Sequence, residues 1–285
     1  MKSLVELKNI WFRYEGQEDY ILKDINLEIR DRDILLLLGR SGSGKTTIAR
    51  IITGLIPHFY RGELKGNVII NGRSIVNKPI YEIAEYVGLI RQNPENQILM
   101  TNVEREIAFS LEFLDIPRED MRKRVHETAN KLGISNLLSR DIDSLSGGEL
   151  QKVAIASILV RKPSIIILDE PSSYLSPSSV NRLRQYIMML NSEGIAFLII
   201  DHRIDYWLDI TTRIAVIYKG KKIFDNNLTE FLKFIEKFDV GLNIPLHLRL
   251  AIDVNKCCGK RVLPITQDTK KVLQILQKGG NNDRV

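Results

Sequence analysis

The chain carries, at residues 39 to 47, the stretch Gly39-Arg40-Ser41-Gly42-Ser43-Gly44-Lys45-Thr46-Thr47. It fits the pattern G-x-x-x-x-G-K-[ST], in which glycines let the backbone bend so that successive N–H groups point at phosphate oxygens. A helix that starts within the stretch adds the positive end of its dipole. Lys45 then reaches the terminal phosphates, and Thr46 offers its hydroxyl to Mg²⁺. The stretch predicts a nucleotide-binding loop, and the alternative is a merely structural Gly/Ser turn.

The residues before this loop, Ile34 to Leu38, are five apolar side chains without alternation. Such a run predicts a strand buried on both faces of a parallel sheet. The order of strand, loop and helix is the one that a phosphate loop requires. The candidate nucleotide ligands in the loop are Gly39, Ser41, Gly42, Ser43, Gly44, Lys45, Thr46 and Thr47.

The composition is that of an ordinary globular protein, with 285 residues, 44% hydrophobic and 27% charged. The two cysteines, Cys257 and Cys258, are adjacent, so they predict neither a disulfide framework nor a metal site, and we expect a reduced, cytosolic protein. The longest apolar run, Ile195 to Ile200, is far below the roughly 18 residues of a membrane span. Residues 1 to 12 lack a signal-peptide core. We expect no membrane-spanning segment.

The net charge of +6 is unevenly distributed along the chain. Residues 255 to 285 hold seven Lys or Arg and two Asp, so the basic character belongs to the tail. This distribution argues against a nucleic-acid groove on the main body, although an anionic surface would attract the tail. We therefore expect no nucleic-acid partner.

Acidic and imidazole side chains follow two further strands. Ser164 to Leu168 predicts a buried strand that ends in Asp169 and Glu170, and Ile195 to Ile200 delivers His202 to the same sheet edge. Beside a phosphate loop, the first carboxylate holds Mg²⁺ through water, and the second positions or deprotonates an attacking water. The alternative is a solvated acidic pair.

A second anion site is predicted at Leu145-Ser146-Gly147-Gly148-Glu149, which opens a helix with bare N–H groups. Two earlier helices precede it. The first starts at a capping box from Thr101 to Glu104 and ends near Asp115, and the second is closed by Gly133. These elements predict a small helical subdomain.

Two alternating stretches, Leu4 to Phe12 and Ile21 to Arg30, predict antiparallel strands before the phosphate loop. Tyr14 lies between them and offers a ring that stacks on adenine. The alternative is that Tyr14 only covers the edge of the sheet. Later in the chain, residues 213 to 224 predict a hairpin, and residues 229 to 238 predict a short helix.

Taken in order, these motifs resemble the ABC ATPase family over residues 1 to about 235. Gly39 to Thr46 corresponds to Walker A, Gln92 to the Q-loop and Leu145 to Glu149 to the signature motif. Ile165 to Glu170 corresponds to Walker B, and His202 to the switch histidine. The resemblance implies an α/β P-loop NTPase with a RecA-like core, an antiparallel β subdomain and a helical signature subdomain at about residues 95 to 162. The ATPase domain then covers residues 1 to 238, and residues 239 to 285 form a small C-terminal extension with a basic tail.

Within that family, residues 92 to 97 and 103 to 117 resemble the ATPases of energy-coupling-factor transporters, which drive vitamin and metal-ion uptake. Residues 241 to 245 and 263 to 266 resemble their C-terminal extension, which is thought to aid dimer pairing. The resemblance implies an ATP-hydrolysing subunit at the cytoplasmic face of the cell membrane. Helices of integral membrane transporter subunits would dock beside Gln92 to Leu99.

The resemblance also implies a head-to-tail dimer, formed by two copies or with a second ABC ATPase. ATP would lie between the Walker A loop of one subunit and Ser146, Gly147 and Gly148 of the other, which agrees with the two anion sites. The roles that it implies are Glu170 as catalytic base, Asp169 and Gln92 beside Mg²⁺ together with Thr46, His202 at the γ-phosphate, Lys45 at the β and γ phosphates, and Tyr14 on the adenine.

Two positions depart from the family pattern. Glu149 replaces the commoner Gln of the signature, which we expect to matter little because the preceding backbone makes the phosphate contacts. Ser176 stands where the segment after Walker B usually has Asp. We expect this change to slow hydrolysis, unless a neighbouring side chain or water replaces the carboxylate.

Two other functions remain as alternatives. One is a soluble ATP-driven clamp or switch that acts on a ribosome, nucleic acid or protein, whose marks would be fused tandem cassettes or a long basic arm. The other is a phosphotransferase with a lone phosphate loop, which would leave Leu145 to Glu149 unexplained.

Overall fold

The structure is a computed structural model that describes residues 2–76, 78–91, 97–114, 116–258 and 265–266. The strands in these residues are β1 (Ser3–Tyr14), β2 (Leu22–Arg30), β3 (Ile34–Leu38), β4 (Gly62–Ile70), β5 (Arg73–Ser74), β6 (Val87–Ile90), β7 (Ile165–Asp169), β8 (Ala196–Ile200), β9 (Arg213–Tyr218) and β10 (Lys221–Asn226). The helices are α1 (Lys45–Ile52), α2 (Leu55–His58), α3 (Ile80–Ile83), α4 (Val103–Phe109), α5 (Arg118–Lys131), α6 (Gly147–Leu159), α7 (Pro177–Ser192), α8 (Leu228–Lys237) and α9 (Leu246–Cys258).

The larger sheet has six strands in the order β10-β9-β3-β8-β7-β6. Five of them run parallel, and only β10 is antiparallel to its neighbour β9. The central strand is β3, in which Leu36 pairs with Ile199 of β8 and Ile214 of β9. All five residues of β3 are buried, so the prediction of a strand covered on both faces is confirmed.

The side chains of β3 alternate between two hydrophobic cores. Leu36 and Leu38 belong to the core that also contains the helices α4 to α8, whereas Leu35 and Leu37 face the core that contains α1 and the smaller sheet. This alternation follows from the two-residue period of a strand. A continuous apolar run therefore reflects two covered faces, and the architecture confirms the predicted α/β P-loop fold.

The smaller sheet is antiparallel, in the order β2-β1-β4-β5. Ile25, Leu27 and Ile29 of β2 are buried on one face, as their alternation predicted. The strand β1 is longer than the predicted Leu4 to Phe12, and at its far end Tyr14 pairs with Gly62 of β4. A side chain at position 62 would meet the carbonyl oxygen of Arg13 at 2.2 Å, so the glycine permits this close pairing.

The helical region confirms the predicted helices but corrects their ends. The N-cap of α4 is Asn102, not Thr101, because the Asn102 side chain accepts a bond from the N–H of Arg105 (3.3 Å). The predicted capping box of Thr101 and Glu104 is therefore wrong, and α4 ends at Phe109 rather than near Asp115. Gly133 follows α5 with a φ of 64°, which is the predicted left-handed helix end.

The C-terminal residues add α8 and α9. The sequence pattern predicted α8 but not α9, which buries Leu248, Ala251 and Ile252 against the main core. Cys257 and Cys258, at the end of α9, are exposed and free. Most of the predicted basic tail lies outside the described residues. Among those described, no helix has the length and apolar character of a membrane span.

Candidate functional site

The candidate site lies at one edge of the six-stranded sheet. Parallel strands end at the same edge, so β3 delivers the phosphate loop there, β7 delivers Asp169 and Glu170, and β8 delivers His202. The structure therefore brings together residues that are distant in the sequence, from Gly39 to His202. Gln92, which the resemblance also assigns to this edge, lies outside the described residues.

The phosphate loop has the backbone that its glycines predicted. Gly42 and Gly44 have φ angles of 75° and 106°, in the left-handed region that favours glycine. A side chain at Gly39 would meet the carbonyl oxygen of Ile217 at 2.4 Å. Ser43 Oγ is buried and has no hydrogen-bond partner in the described part of the chain. A turned backbone and an orphaned hydroxyl are what a loop built around a phosphate would show.

Lys45 is the first residue of α1 and is buried in the loop. Its Nζ donates to the carbonyl oxygens of Gly39 (2.8 Å) and Arg40 (2.9 Å). Burial lowers the pKa of this ammonium, while the carboxylates of Glu170 and Asp169 act in the opposite direction. An ammonium group has three protons, so one remains for an anionic ligand.

Asp169 faces the same helix start. Its Oδ1 accepts a bond from Thr46 Oγ1 (3.2 Å). Burial raises the pKa of Asp169, and the bond from Thr46 partly offsets that effect. A hydroxyl beside a carboxylate suits a hard cation such as Mg²⁺, which takes few protein ligands and completes its shell with phosphate and water oxygens. Among the described residues, no group of three or more His, Cys, Asp or Glu side chains is placed so that it could hold a metal ion.

Glu170 and His202 face each other across the ends of β7 and β8. His202 Nε2 lies 3.2 Å from Glu170 Oε1, and Ser173 Oγ donates to Glu170 Oε2 (3.3 Å). The Glu170 backbone has a φ of 54°, a left-handed conformation that is uncommon outside glycine. Its N–H donates to the carbonyl oxygen of Ile200 (2.7 Å), so the strained residue is held by the neighbouring strand.

Tyr14 lies at the end of β1, beside the start of α1. Its hydroxyl is 3.1 Å from Thr47 Oγ1 and accepts a bond from Arg50 Nη1 (2.9 Å). The ring is half-buried and makes an edge contact with Phe12 at 4.8 Å between centroids. The structure thus places Tyr14 next to the phosphate loop, as the adenine-stacking interpretation requires, and also against the core, as the alternative requires.

The signature motif is built as a capped helix start. Ser146 is the N-cap of α6, and its Oγ accepts a bond from the N–H of Glu149 (3.4 Å). In return, Glu149 Oε2 accepts from the N–H of Ser146 (2.8 Å) and from its hydroxyl (2.7 Å). Gly147 and Gly148 form the first turn. In the described part of the chain, no hydrogen bond or ion pair joins Ser146 to the phosphate loop.

The structure adds residues that sequence reasoning missed. Arg50 and Arg91 line a cleft of 290 Å³ together with Thr46 and Asp169. Arg182 of α7 lies beside the signature, because a methyl group at Gly148 would be 3.4 Å from its Nη2. Arg50 and Arg91 stand close to the phosphate loop and to Gln92 in the sequence, but neither residue belongs to a motif position that predicts a role for it. Arg50 lies on α1, Arg91 follows β6 and Arg182 lies on α7, so elements that are distant in the sequence place these side chains.

A groove of 290 Å³ opens between the sheet and the helical region. It is lined by Leu89, Gln97, Leu99, Phe109 and Arg161, among others, and Leu99 is 68% exposed. The Gln97 side chain is hydrogen-bonded to the end of β6. Its Oε1 accepts a bond from the N–H of Arg91 (2.9 Å), and its Nε2 donates to the carbonyl oxygen of Leu89 (3.1 Å). The groove occupies the place where the sequence predicted a docking surface.

Comparison with known proteins agrees with this geometry. Residues 22–173 match the family model of the ABC transporter. A Treponema denticola protein whose name assigns it as an ABC transporter ATP-binding protein is 40% identical over 82% of this chain, which spans 48% of that protein. A relative with the same name from Pyrococcus abyssi is 33% identical over 89% of this chain and 91% of its own length. The chain thus spans about half of one relative and most of the other.

Solved structures give the same result. One is cbiO1 from Clostridium perfringens, described as part of the ABC transporter complex cbiONQ, with a TM-score of 0.73 and 26% identity over 83% of this chain and 94% of that one. Another is a nucleotide-free ATP-binding cassette from an ABC transporter, with a TM-score of 0.70 and 27% identity over 85% and 99% of the two chains. With the matched family model and the site geometry, these findings show that the chain belongs to the ABC transporter ATP-binding family and is an ABC ATPase.

Proposed function

We propose that this chain is the ATP-binding and hydrolysing subunit of a membrane transporter of the energy-coupling-factor type, which takes up a vitamin or a metal ion. The observation that carries the ATPase part is the convergence of Lys45, Thr46, Asp169, Glu170 and His202 at one sheet edge. The likeness to cbiO1 of Clostridium perfringens supports the transporter type.

In this proposal, the phosphate loop binds the phosphates of ATP through its N–H groups and Lys45. Tyr14 stacks on the adenine, and Ser41, Ser43 and Thr47 add hydroxyl contacts. Thr46 and Asp169, with Gln92, hold Mg²⁺, which supplies charge neutralisation to the phosphates. The buried position of Lys45 strengthens its attraction to an anion, because the low local dielectric screens the charges less than water does.

Glu170 then acts as the base that orients and deprotonates the attacking water, and His202 contacts the γ-phosphate. Glu170 is suited to this role because, among the described residues, its carboxylate is held by the Ser173 hydroxyl and by His202. His202 lies between that carboxylate and the phosphate loop. It contacts Glu170 and lines a cavity together with Gly39 and Ser41.

The signature residues Ser146, Gly147 and Gly148 complete the site from a second ATPase subunit, either another copy or a related chain. Their N–H groups open α6 with the positive end of its dipole, which is a suitable partner for the γ-phosphate. A two-fold pair lets each phosphate loop face the signature of its neighbour.

The groove beside Leu99 receives helices of the integral membrane subunits, which hold this chain at the cytoplasmic face of the membrane. Its lining combines apolar side chains with Gln97, Glu106 and Arg161, and this combination suits an amphipathic helix. Closure and opening of the ATPase pair would then move those helices.

Leu99→Arg tests the transporter part of the proposal. We expect the variant to bind ATP as the wild type does but to lose the integral membrane proteins that the wild type retains from solubilised membranes. The matched control is Ile223→Arg, which places the same charge on an exposed apolar position of β10. Retention of ribosomes or nucleic acid instead of membrane proteins would favour the soluble clamp and contradict the proposal.

A further inference from the structure

A buried carboxylate joins the two loops that carry the hydrolysis site. Asp201 Oδ1 accepts bonds from Ser172 Oγ (2.9 Å) and from the N–H of Arg203 (2.9 Å). Asp201 Oδ2 accepts a third bond from the N–H of Ser172 (3.1 Å). Asp201 is 2% exposed and Ser172 is fully buried. Ser172 follows Glu170 on the β7 loop, and Asp201 precedes His202 on the β8 loop.

The position of Asp201 follows from the strand before it. Successive side chains of a strand point to opposite sides, so the end of β8 sends Asp201 inward while His202 faces the phosphate loop. The bond from the N–H of Arg203 to the Asp201 side chain closes a turn of two residues around His202. The carboxylate therefore shapes the backbone that presents the imidazole.

No ion pair balances this carboxylate in the part of the chain that the structure describes. A buried charge without a cation is stable only when hydrogen bonds surround it, and bonds to a charged acceptor are stronger than neutral ones. Two of the three donors belong to Ser172 and the third to Arg203, so separation of the loops would leave buried donors and a charge unsatisfied. The two loops are thus fixed to each other.

We propose that Asp201 is a positioning residue for ATP hydrolysis, which holds His202 at its distance from Glu170 and links both to the segment that starts at Ser172. This inference rests on the proposed roles of Glu170 and His202. Because the segment from Ser172 runs to Ser176, where α7 starts, Asp201 also connects the imidazole to the surface that would face the second subunit.

Asp201→Asn is the test. The amide keeps one oxygen acceptor but turns an NH₂ group toward one of the donors. The bonds that one of the two Asp201 oxygens accepts are therefore lost. We expect single-turnover hydrolysis at saturating ATP to fall by about 10- to 100-fold, while ATP affinity changes by less than about threefold. Asp209→Asn, which removes an exposed carboxylate paired with Arg184, is the control and should leave the rate unchanged.

A double-mutant cycle with His202→Ala separates positioning from general stability. If Asp201 acts through His202, adding Asp201→Asn to His202→Ala should slow hydrolysis by less than about twofold further. A full additional loss in that background, or a wild-type rate for Asp201→Asn alone, would overturn the inference. If Asp201→Asn does not fold, Ser172→Ala removes one donor and enters the same cycle. A wild-type rate for His202→Ala would instead contradict the proposed role of His202.

Discussion

Ser176 caps the start of helix α7. Its Oγ accepts a bond from the N–H of Ser179 (3.2 Å). The same oxygen lies 2.9 Å from Ser178 Oγ. Serine and aspartate are equally good N-caps, so the cap itself does not explain why this chain lacks a carboxylate here. Compared with aspartate, the serine carries no charge and has a shorter side chain.

Ser176→Asp should therefore keep α7 intact and change only what the exposed side chain presents. We expect single-turnover hydrolysis at saturating ATP to become faster by about three- to tenfold, because in the proposed dimer the carboxylate would form a charge-assisted hydrogen bond with the phosphate loop of the second subunit. The control is Ser178→Asp, which adds the same charge to the first turn of α7. A rate for Ser176→Asp that is unchanged or slower would show that other groups already replace the carboxylate.

The start of α6 shows a contact of Glu149 that the sequence did not predict. We expected this residue to matter little, yet its carboxylate accepts from both the N–H and the hydroxyl of Ser146. The bond from the Ser146 hydroxyl, followed by the one from its N–H, lowers the pKa of Glu149, so the carboxylate is charged at neutral pH. The donors that would meet a phosphate are thus shared with an anion of the same helix.

Glu149→Gln should make it easier for the N–H and the hydroxyl of Ser146 to donate to a phosphate of ATP instead. The amide oxygen still accepts from Ser146, while the negative charge beside the phosphate is removed. We expect the ATP concentration for half-maximal dimer formation to fall by about three- to tenfold, measured by light scattering in the Glu170→Gln background. Glu127→Gln, on the exposed face of α5, is the control. An unchanged or higher ATP requirement would mean that the capping carboxylate does not oppose the phosphate.

At the scale of the whole molecule, the C-terminal segment lies against the phosphate loop of its own chain. Gly241 has a φ of 66°, and a side chain there would meet Arg40 Nε at 2.3 Å. Leu242 is buried in the main core, and Asn243 lines a cavity with Gly39 and His202. The extension and the nucleotide site are therefore in direct contact.

Gly241→Ala should displace the side chain of Arg40 and thereby disturb the phosphate loop, to which Arg40 belongs. We expect ATP affinity to fall by about three- to tenfold, as measured by titration with labelled ATP. Gly133→Ala is the matched control, because Gly133 has a φ of 64° but nothing within 4 Å of the added methyl group. Equal effects of the two variants would assign the change to backbone strain alone and contradict a link between the extension and the site.

The sequence predicted those parts of the molecule that depend on local pattern. The run from Ile34 to Leu38 and the glycines of the phosphate loop determine their own conformation, so both were predictable. The helix from Leu246 to Cys258 was not predicted, because its apolar residues pack against a core that is formed by elements distant in the sequence. Its buried face is therefore defined only in the folded chain. The hydrogen bond between Ser172 and Asp201 was not predicted for a similar reason, since it joins two loops 29 positions apart.

In the proposed mechanism, Glu170 is the base of an ATP-hydrolysing site formed at this sheet edge. The most direct measurement is the single-turnover rate of ATP hydrolysis by Glu170→Gln at saturating ATP and Mg²⁺, compared with the wild type. Because glutamine keeps the shape but does not accept the proton, we predict a loss of about 10²- to 10⁴-fold with ATP binding retained. A Glu170→Gln variant that binds ATP and hydrolyses it at the wild-type rate would contradict the account and place the base elsewhere.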